Sequence, residues 1–326
     1  MVTERPSHRL TLDAIAEAAR SIDPVFLHSP QYQCEPLSEL LGCRLTLKVE
    51  TANPIRSFKG RGADYFLSQV NARGDTRHLV CASTGNFGQA MAYSCRRHDR
   101  PLTVFVNEDA NPVKAARLLE LGADVRLAGH DFDAAKSEGR NHSANIGAWF
   151  VEDGREPEIS EGAGSIGVEL LARGDLFDSA LIPVGNGALI AGIARWLKEA
   201  TPSTEVVGVC SAGADAMEKS WREGRIVERP RVDTIADGIA VRVPIPEAVD
   251  DMTGVVDEVL LVDDEPIIEA MRLLWEHAGL LSEPAGAVGV AAIAAEPERF
   301  RDQRVATVVT GSNLTQEEIE RWLRPA

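Results

Sequence analysis

The sequence lacks the features that mark several classes of protein. Its five cysteines are scattered, odd in number and without CxxC or Cys/His spacing, which argues against a disulfide framework and a cysteine metal site. No apolar run is long enough to cross a bilayer, and the N-terminus has no apolar secretion core. Low-complexity segments, heptads and tandem repeats are absent as well. These absences predict a globular protein with free thiols in a reducing compartment.

Basic residues are scarce relative to acidic ones. Thirty-four lysines and arginines stand against fifty aspartates and glutamates, which gives a formal net charge of −16. Such a chain repels phosphate backbones and anionic membrane surfaces, so we expect neither nucleic acid nor a membrane as a partner. Together with the free thiols, this charge predicts a cytoplasmic protein.

Apolar, strand-like runs alternate with amphipathic segments of helix length along most of the chain. Runs without polar alternation suit strands that are covered on both faces, so the sequence predicts an α/β protein with mostly parallel sheets. The predicted strands are 45–49, 78–82, 102–106, 125–127, 181–184, 206–210, 258–262 and 305–310. The predicted helices are 63–70, 87–98, 112–121, 133–145, 189–200, 265–278, 287–295 and 315–323, and the stretches 152–164 and 228–246 are predicted loops.

Lys59 lies in a short turn just ahead of a predicted helix, and two glycines follow it. Because glycine has no side chain, Gly60 and Gly62 predict that the backbone comes close to a flat ligand. A lysine amine that bonds to a carbonyl cofactor needs a packed, partly desolvated site of this kind. The alternative is an ordinary lysine at a helix start.

A turn rich in hydroxyl and amide groups follows the predicted strand 78–82. It consists of Ser83, Thr84, Gly85, Asn86 and Phe87. Hydroxyls, backbone N–H groups and a helix N-terminus converge there, which suits a carboxylate, and an Asn amide can donate to a phenolic oxygen. Ser, Thr and Asn are also the usual helix N-caps, so a plain capping turn is the alternative.

A second turn joins the predicted strand 181–184 to the predicted helix 189–200. Its residues are Gly185, Asn186, Gly187, Ala188 and Leu189. Small residues that expose N–H groups along a helix dipole form a cradle for an anion. Neither a Walker motif nor the GxGxxG spacing is present, so the sequence favours a phosphate held by the backbone. A plain tight turn between strand and helix is the alternative.

Three further segments complete the pattern: Thr310 to Asn313 after the last strand, 236–241 with Gly238, and 282–287 with Glu283. Taken in order, the blocks resemble those of the fold-type II pyridoxal 5′-phosphate enzymes, the threonine/serine dehydratase and serine racemase group. The Ser-Phe-Lys-x-Arg-Gly-Ala stretch at Lys59 matches the signature of that group. The resemblance extends from about residue 30 to residue 314.

The resemblance implies pyridoxal 5′-phosphate as the cofactor and a role for each matching residue. Lys59 would carry the cofactor, with Phe58 beside it, and the residues matching Ser83, Thr84 and Asn86 would hold the substrate carboxylate and the cofactor's 3′ oxygen. The 185–189 turn would bind the phosphate, although Asn186 and Ala188 replace two glycines of the family's loop. Its cradle survives if the backbone at those two positions is not left-handed. Gly238 and Glu283 would line the cofactor.

Thr310 matches the position at which the family places a hydroxyl or thiol against the pyridine nitrogen. A neutral hydroxyl cannot keep that nitrogen protonated as a carboxylate would, which disfavours a long-lived carbanion and favours β-elimination over transamination. In isolation, a threonine at a strand end is an ordinary structural residue.

Some positions depart from the family pattern. Phe87 stands where the dehydratases usually carry His, and it could line a substrate pocket or pack in the core. Thr84 stands where racemases place a catalytic Ser, and a threonine hydroxyl is a poor base. Cys210 and Ala216 replace acidic residues that help to bind a divalent cation in relatives, so we expect no metal site.

The implied fold has two open, mostly parallel twisted sheets flanked by helices, like the tryptophan synthase β fold, with the cofactor in the cleft between lobes. We expect residues 1–50 and 148–326 to form a large cofactor-binding domain, residues 51–147 to form a small domain, and the chain to be a homodimer. The implied activity is dehydration and deamination of a β-hydroxy-α-amino acid such as threonine or serine, or a bulkier 3-aryl-serine such as phenylserine. The alternatives are racemisation, threonine synthase-like β/γ-replacement, and a nucleotide-binding or non-catalytic binding protein.

Overall fold

The computed structural model describes residues 8–110 and 112–323, and within them it has ten strands and fourteen α-helices. The strands are β1 (Gln31–Gln33), β2 (Arg44–Val49), β3 (Leu79–Ala82), β4 (Leu102–Val106), β5 (Asp124–Leu127), β6 (Trp149–Phe150), β7 (Ser179–Pro183), β8 (Glu205–Ser211), β9 (Glu258–Val262) and β10 (Arg304–Val309).

The helices alternate with these strands along most of the chain. They are α1 (Leu12–Ser21), α2 (Glu35–Leu41), α3 (Lys59–Ala72), α4 (Asn86–Arg97), α5 (Pro112–Glu120), α6 (Phe132–Ile146), α7 (Pro157–Leu171), α8 (Ala188–Ala200), α9 (Ala216–Glu223), α10 (Pro246–Met252), α11 (Asp264–Ala278), α12 (Pro284–Ala295), α13 (Pro297–Phe300) and α14 (Gln316–Leu323). No helix in these two described ranges is long and apolar enough to cross a membrane.

The strands form two sheets. The larger has the order β1-β2-β10-β7-β8-β9, and the smaller has the order β5-β4-β3-β6. Only the edge strand β1 runs antiparallel to its neighbour; the other pairs in the described ranges are parallel. The interior strands β3, β4 and β7 are buried at every position, as their unbroken apolar runs predict. The predicted fold class is therefore confirmed.

The division into domains stays a prediction. The smaller sheet includes β6, which pairs with β3 through Trp149 and Phe150. A boundary between residues 147 and 148 would therefore separate β6 from the strand with which it pairs.

The prediction of a loop over 152–164 is wrong in its second half, because α7 begins at Pro157. Its glycines are packing positions, not breaks in the helix. A Cβ on Gly162 would lie 2.7 Å from the Arg61 carbonyl oxygen in α3, and one on Gly164 would lie 2.9 Å from the Gly192 carbonyl oxygen in α8. The backbones of α7, α3 and α8 therefore approach more closely than side chains would permit.

Candidate active site

The turn that carries Lys59 is fastened to the end of the central strand β10. The Phe58 N–H donates to the Thr310 carbonyl at 3.0 Å, and Ser57 pairs with Gly311 in an isolated antiparallel bridge. Lys59 is the first residue of α3, and no side chain caps that helix. The chain thus brings Phe58, Lys59 and Thr310 together although about 250 residues separate them.

The Lys59 amine is mostly enclosed by protein. Its side chain is 14% exposed, and Nζ lies 2.5 Å from Oδ2 of Asp153 and 4.6 Å from the centroid of the Phe58 ring. Asp153 was not among the predicted site residues because it falls in the stretch interpreted as a loop. Asp153 follows the short strand β6 closely, and ligands collect beyond the carboxyl ends of parallel strands, but β6 was not among the predicted strands.

The two glycines that follow Lys59, Gly60 and Gly62, are required by the packing of α3. A Cβ on Gly60 would lie 2.2 Å from the Phe26 ring, and one on Gly62 would lie 2.6 Å from the Ile159 carbonyl oxygen. Both glycines therefore let α3 pack closely against neighbouring parts of the chain, the Phe26 ring and helix α7. The expectation that they let the backbone approach a flat ligand stays a prediction.

A buried charge cluster holds α3 in place at Arg61, two residues beyond Lys59. Arg61 is fully buried, and its guanidinium donates to Glu50 at 2.8 Å and to Glu169 at 2.7 Å. The Lys48 amine lies 2.6 Å from the other Glu169 oxygen. Burial alone would raise the pKa of Glu169, but Arg61 and Lys48 outweigh it and hold that pKa at about 2. Two cations and two carboxylates thus balance inside the protein and anchor the helix that begins at Lys59.

The asparagine turn lies at the N-terminus of α4. Ser83, Thr84, Gly85 and Asn86 are all partly exposed, and Gly85 takes the N-cap position without a side-chain cap. The Ser83 hydroxyl accepts from the Gly85 N–H at 3.2 Å, outside the helix. The first N–H groups of α4 therefore lack a side-chain partner, which favours the anion-binding interpretation over the capping one. The role of these residues stays a prediction.

Phe87, the last residue of this turn, is buried, unlike the four residues before it. It is 8% exposed and belongs to the apolar cluster of the smaller sheet, which also contains Met91 and Leu118. Of the two interpretations of Phe87, its burial favours packing in the core.

The turn before α8 has the geometry that a backbone cradle needs. Gly187 adopts a left-handed conformation with φ of 88° at the N-cap of α8, and no side chain caps the helix. Asn186 and Ala188 are not among the residues with positive φ, so the condition for keeping the cradle is met at both positions. A Cβ on Gly185 would lie 2.9 Å from the Gly238 carbonyl oxygen, which leaves no room for a side chain there. The Leu189 side chain is buried in the core, so that residue could contribute its backbone.

Glu283 connects the asparagine turn to the end of β10. Its carboxylate accepts from Nδ2 of Asn86 at 2.6 Å and from the N–H of Asn313 at 3.1 Å. The Asn313 amide also donates to Oδ1 of Asn86 at 2.7 Å. These bonds fix the Asn86 amide and leave one of its two amide hydrogens for another acceptor. A Cβ on Gly238 would lie 3.7 Å from Oε1 of Glu283, so this predicted residue is close by as well.

Burial, together with the nearby charge of Asp237, raises the pKa of Glu283 from 4.5 to about 7. The folded state therefore disfavours the charged form. The stability that this group contributes is fully present below pH 4.5, the ordinary value, and is lost as the pH rises through about 7.

We predict that Glu283→Gln reduces the dependence of stability on pH. The amide does not ionise, so the difference in free energy of unfolding between pH 5 and pH 8 should shrink by on the order of 1–2 kcal/mol. Chemical denaturation of the cofactor-free protein at both pH values checks this. Glu317→Gln, at an exposed position of α14, is the control. An unchanged difference in the Glu283 variant would show that its carboxylate does not titrate between these values.

The assembled groups suit a phosphorylated carbonyl compound. Lys59 supplies a partly buried amine, the Gly185 to Leu189 turn supplies N–H groups at a helix N-terminus, and Thr310 supplies a hydroxyl group in a residue that is 4% exposed. These are the donors that the amine linkage, the phosphate and the ring of pyridoxal 5′-phosphate require. No cluster of His, Cys, Asp or Glu able to hold a metal ion occurs in the part of the chain that the structure describes.

Comparison with known proteins agrees with this site. A family model described as pyridoxal-phosphate dependent enzyme matches residues 22–311. The L-threonine ammonia-lyase of Thermotoga maritima is 33% identical over 312 residues, which cover 96% of this chain and 78% of that protein. The processed form of threonine deaminase isoform 2 from Solanum lycopersicum has a TM-score of 0.88 at 28% identity, covering 97% of this chain and 89% of that one. Serine racemase from Dictyostelium discoideum has a TM-score of 0.85 at 27% identity, covering 94% and 99%.

These findings confirm the predicted resemblance, the predicted cofactor and the prediction of an enzyme. The matched region contains every predicted site residue from Phe58 to Thr310. The chain belongs to the family of pyridoxal-phosphate dependent enzymes, in the fold-type II group of threonine ammonia-lyases and serine racemases.

Proposed function

We propose that this protein is a lyase that removes water and then ammonia from a β-hydroxy-α-amino acid to give a 2-oxo acid. The observation that carries the proposal is the bond from the Phe58 N–H to the Thr310 carbonyl, which sets the lysine turn beside a strand end that bears a neutral hydroxyl. That hydroxyl favours elimination over transamination. The relatives named threonine ammonia-lyase and threonine deaminase support the same class of reaction.

In this proposal the chain divides the binding of the cofactor among three sites. Lys59 would bind its carbonyl carbon, the N–H groups of the 185–189 turn would bind its phosphate, and the Thr310 hydroxyl would bind its ring nitrogen. When bound, the cofactor withdraws electrons from Cα of the amino acid, which makes the Cα proton removable.

The residues of the chain would then position the substrate and move one proton. The uncapped N–H groups at Asn86, with the hydroxyls of Ser83 and Thr84, bind the substrate carboxylate. Lys59, once its amine is free, takes the Cα proton as general base. Glu283 and Asn313 keep the Asn86 amide in one orientation while this happens.

Threonine and serine are the default substrates of the proposal. A bulkier substrate such as phenylserine would need an apolar wall, and Phe87 is the aromatic residue of the asparagine turn. Its burial with Met91 and Leu118 leaves little of the ring to face a ligand, which favours the smaller substrates.

A panel of substrates tests the proposal. L- and D-threonine, serine and phenylserine are assayed for 2-oxo acid and ammonia with the purified holoenzyme. We expect equal amounts of both products from an L-β-hydroxy amino acid. Racemisation without ammonia, or no reaction with any member, would contradict the lyase. Size-exclusion chromatography of the same preparation tests the proposed homodimer, and fractionation of cells tests the proposed cytoplasmic location.

Thr310 provides a test of the reaction type. We predict that Thr310→Asp slows elimination by roughly one to two decades, because a carboxylate would keep the ring nitrogen protonated and one mismatched hydrogen bond is worth about 1–3 kcal/mol. Thr310→Ser should be mild, since the hydroxyl is retained. The measurements are the elimination rate and the visible spectrum during turnover. If Thr310→Asp had the same elimination rate and the same spectrum as wild type, Thr310 would have no role in the reaction beyond ending its strand.

A further inference from the structure

Lys59 has a charged partner that the proposed mechanism has not used. Asp153 lies in the loop between β6 and α7, and its Oδ2 is 2.5 Å from the Lys59 amine. The Asp153 side chain is 7% exposed, and its other oxygen is buried without a hydrogen-bond partner. A carboxylate in that position is expensive to bury unless it faces a cation, so the pair is a built feature of the cleft.

The charged residues on either side of Asp153 in this loop form ion pairs with residues other than Lys59 and Asp153. Glu152 pairs with Lys136 and with Arg140, and Arg155 pairs with Glu152 and Glu247. Within residues 8–110 and 112–323, Asp153 is the one carboxylate that lies within 4.0 Å of the Lys59 amine. The Phe58 ring, which carries no charge, also lies close to that amine, with its centroid 4.6 Å from Nζ.

The Asp153 loop also touches the predicted phosphate turn. Gly154 adopts a left-handed conformation with φ of 91°, and a Cβ there would lie 2.7 Å from the Asn186 carbonyl oxygen. The loop that carries Asp153 is therefore packed against the predicted phosphate turn, and its residue 154 accepts only glycine without strain.

We infer that Asp153 stabilises the ammonium form of Lys59 that arises when Lys59 takes the Cα proton of the substrate. This inference rests on the proposed function, in which Lys59 is the general base. Asp153 acts through Lys59, so it is a positioning residue that holds the protonated amine by its charge. A carboxylate that stabilises the protonated base strengthens that base, as in other paired acid–base sites.

The step balances without an outside proton. The Cα–H bond breaks, Lys59 gains the proton, and the electron pair forms the Cα–Cβ double bond as the Cβ–O bond breaks. The departing oxygen needs one proton to leave as water, and the Lys59 ammonium holds one. Asp153 keeps that proton in the site between the two events.

The carboxylate has opposite effects on the two tasks of Lys59, and this makes the inference testable. Asp153 favours the transfer of a proton to Lys59, because the product is an ammonium beside a carboxylate. Bonding to the cofactor carbonyl is hindered, because that reaction needs the neutral amine. A residue that served only the structure would impair both tasks together.

The experiment compares wild type with Asp153→Asn, which keeps the shape of the side chain and removes its charge. The full-length proteins are stripped of cofactor, and reloading with pyridoxal 5′-phosphate is followed by visible absorption across a range of pH. We expect Asp153→Asn to reload about tenfold faster at neutral pH and its rate profile to move to lower pH. Pyridoxal, which lacks the phosphate, should show the same displacement, which separates this effect from a change in the phosphate cradle.

Turnover of the reloaded enzymes gives the second readout. We expect kcat of Asp153→Asn to fall by about 10- to 100-fold with a smaller change in KM, and Asp153→Glu to recover part of it. Glu156→Gln is the matched control, because Glu156 is buried in the same loop and accepts from Trp149 instead. It should leave both readouts unchanged, and thermal melts establish that all variants are folded.

The outcomes separate the inference from the function on which it rests. If Lys59→Ala removes the visible absorption of the loaded enzyme but Asp153→Asn leaves the pH profile of reloading in place, the inference is overturned and the proposed function stands. Slower reloading together with slower turnover would also overturn it, by showing a structural role. If Lys59→Ala reloads like wild type, the proposed function fails first.

Discussion

Replacing Lys59 with alanine is expected to abolish covalent attachment of the cofactor and to lower turnover by roughly 10²–10⁴-fold or more, because one residue supplies both the amine linkage and the general base. The fold should survive, since the amine faces the cleft and its ion pair is with a loop residue, Asp153. Visible absorption after dialysis and kcat of the variant are the measurements.

Lys136→Ala is the matched control for this variant. Its side chain is also 14% exposed, and it pairs with Glu152, the neighbour of Asp153. That variant should keep the absorption and most of the turnover. Wild-type rates in the Lys59 variant would refute the proposed mechanism, and equal losses in both variants would show that the effect comes from the charge balance of the loop.

Of the substitutions considered, we expect Arg61→Met to lower the free energy of unfolding most. The guanidinium is fully buried and serves two carboxylates, so its removal leaves buried charge without a partner. Glu169 would keep Lys48 at 2.6 Å, whereas the Glu50 side chain would keep only the Ser29 hydroxyl. We expect the free energy of unfolding to fall by about 3–5 kcal/mol.

Chemical denaturation of the cofactor-free proteins measures this loss. Arg301→Met is the comparison, because Arg301 forms its ion pair with Glu298 on the protein surface, where such pairs contribute little. A loss in Arg61→Met no larger than that of Arg301→Met would mean that Glu50 and Glu169 find other partners. Restoring stability by adding Glu50→Gln to Arg61→Met would support the assignment, since it removes the charge left unpaired.

The fold could be predicted from the sequence wherever local pattern and burial agree. Most strands of both sheets are short apolar runs that need no partner to be recognised, and β2, β4 and β9 lie within one residue of their predicted bounds. The short strands β1 and β6 were not predicted. Helix α7 was not predicted, because its glycines look like a loop until the neighbouring backbones of α3 and α8 are in view. A glycine that is required by the backbone of a neighbouring helix cannot be distinguished, in the sequence alone, from a glycine in a loop.

In the candidate site, too, residues in local motifs could be predicted and contacts between distant residues could not. Lys59, the two glycine-bearing turns and Thr310 could be predicted because each stands in a contiguous motif. Asp153 was missed, since its pairing with Lys59 spans 94 residues and no motif marks it. The bond from Asn86 to Glu283 spans 197 residues. Both residues were predicted from the sequence, but the contact between them could not be predicted. Long-range polar pairs depend on how the sheets pack, which the local sequence does not encode.

The close packing around α7 has a consequence for how the cleft can change shape. This helix contacts α1, α3 and α8, and Gly162 and Gly164 bring its backbone against those of α3 and α8. Sliding one helix along another would drive side chains into backbone at these two positions, where no side chain separates the helices. The junction therefore resists shear, and opening of the cleft would have to proceed as a hinge-like rotation in the loops that flank it.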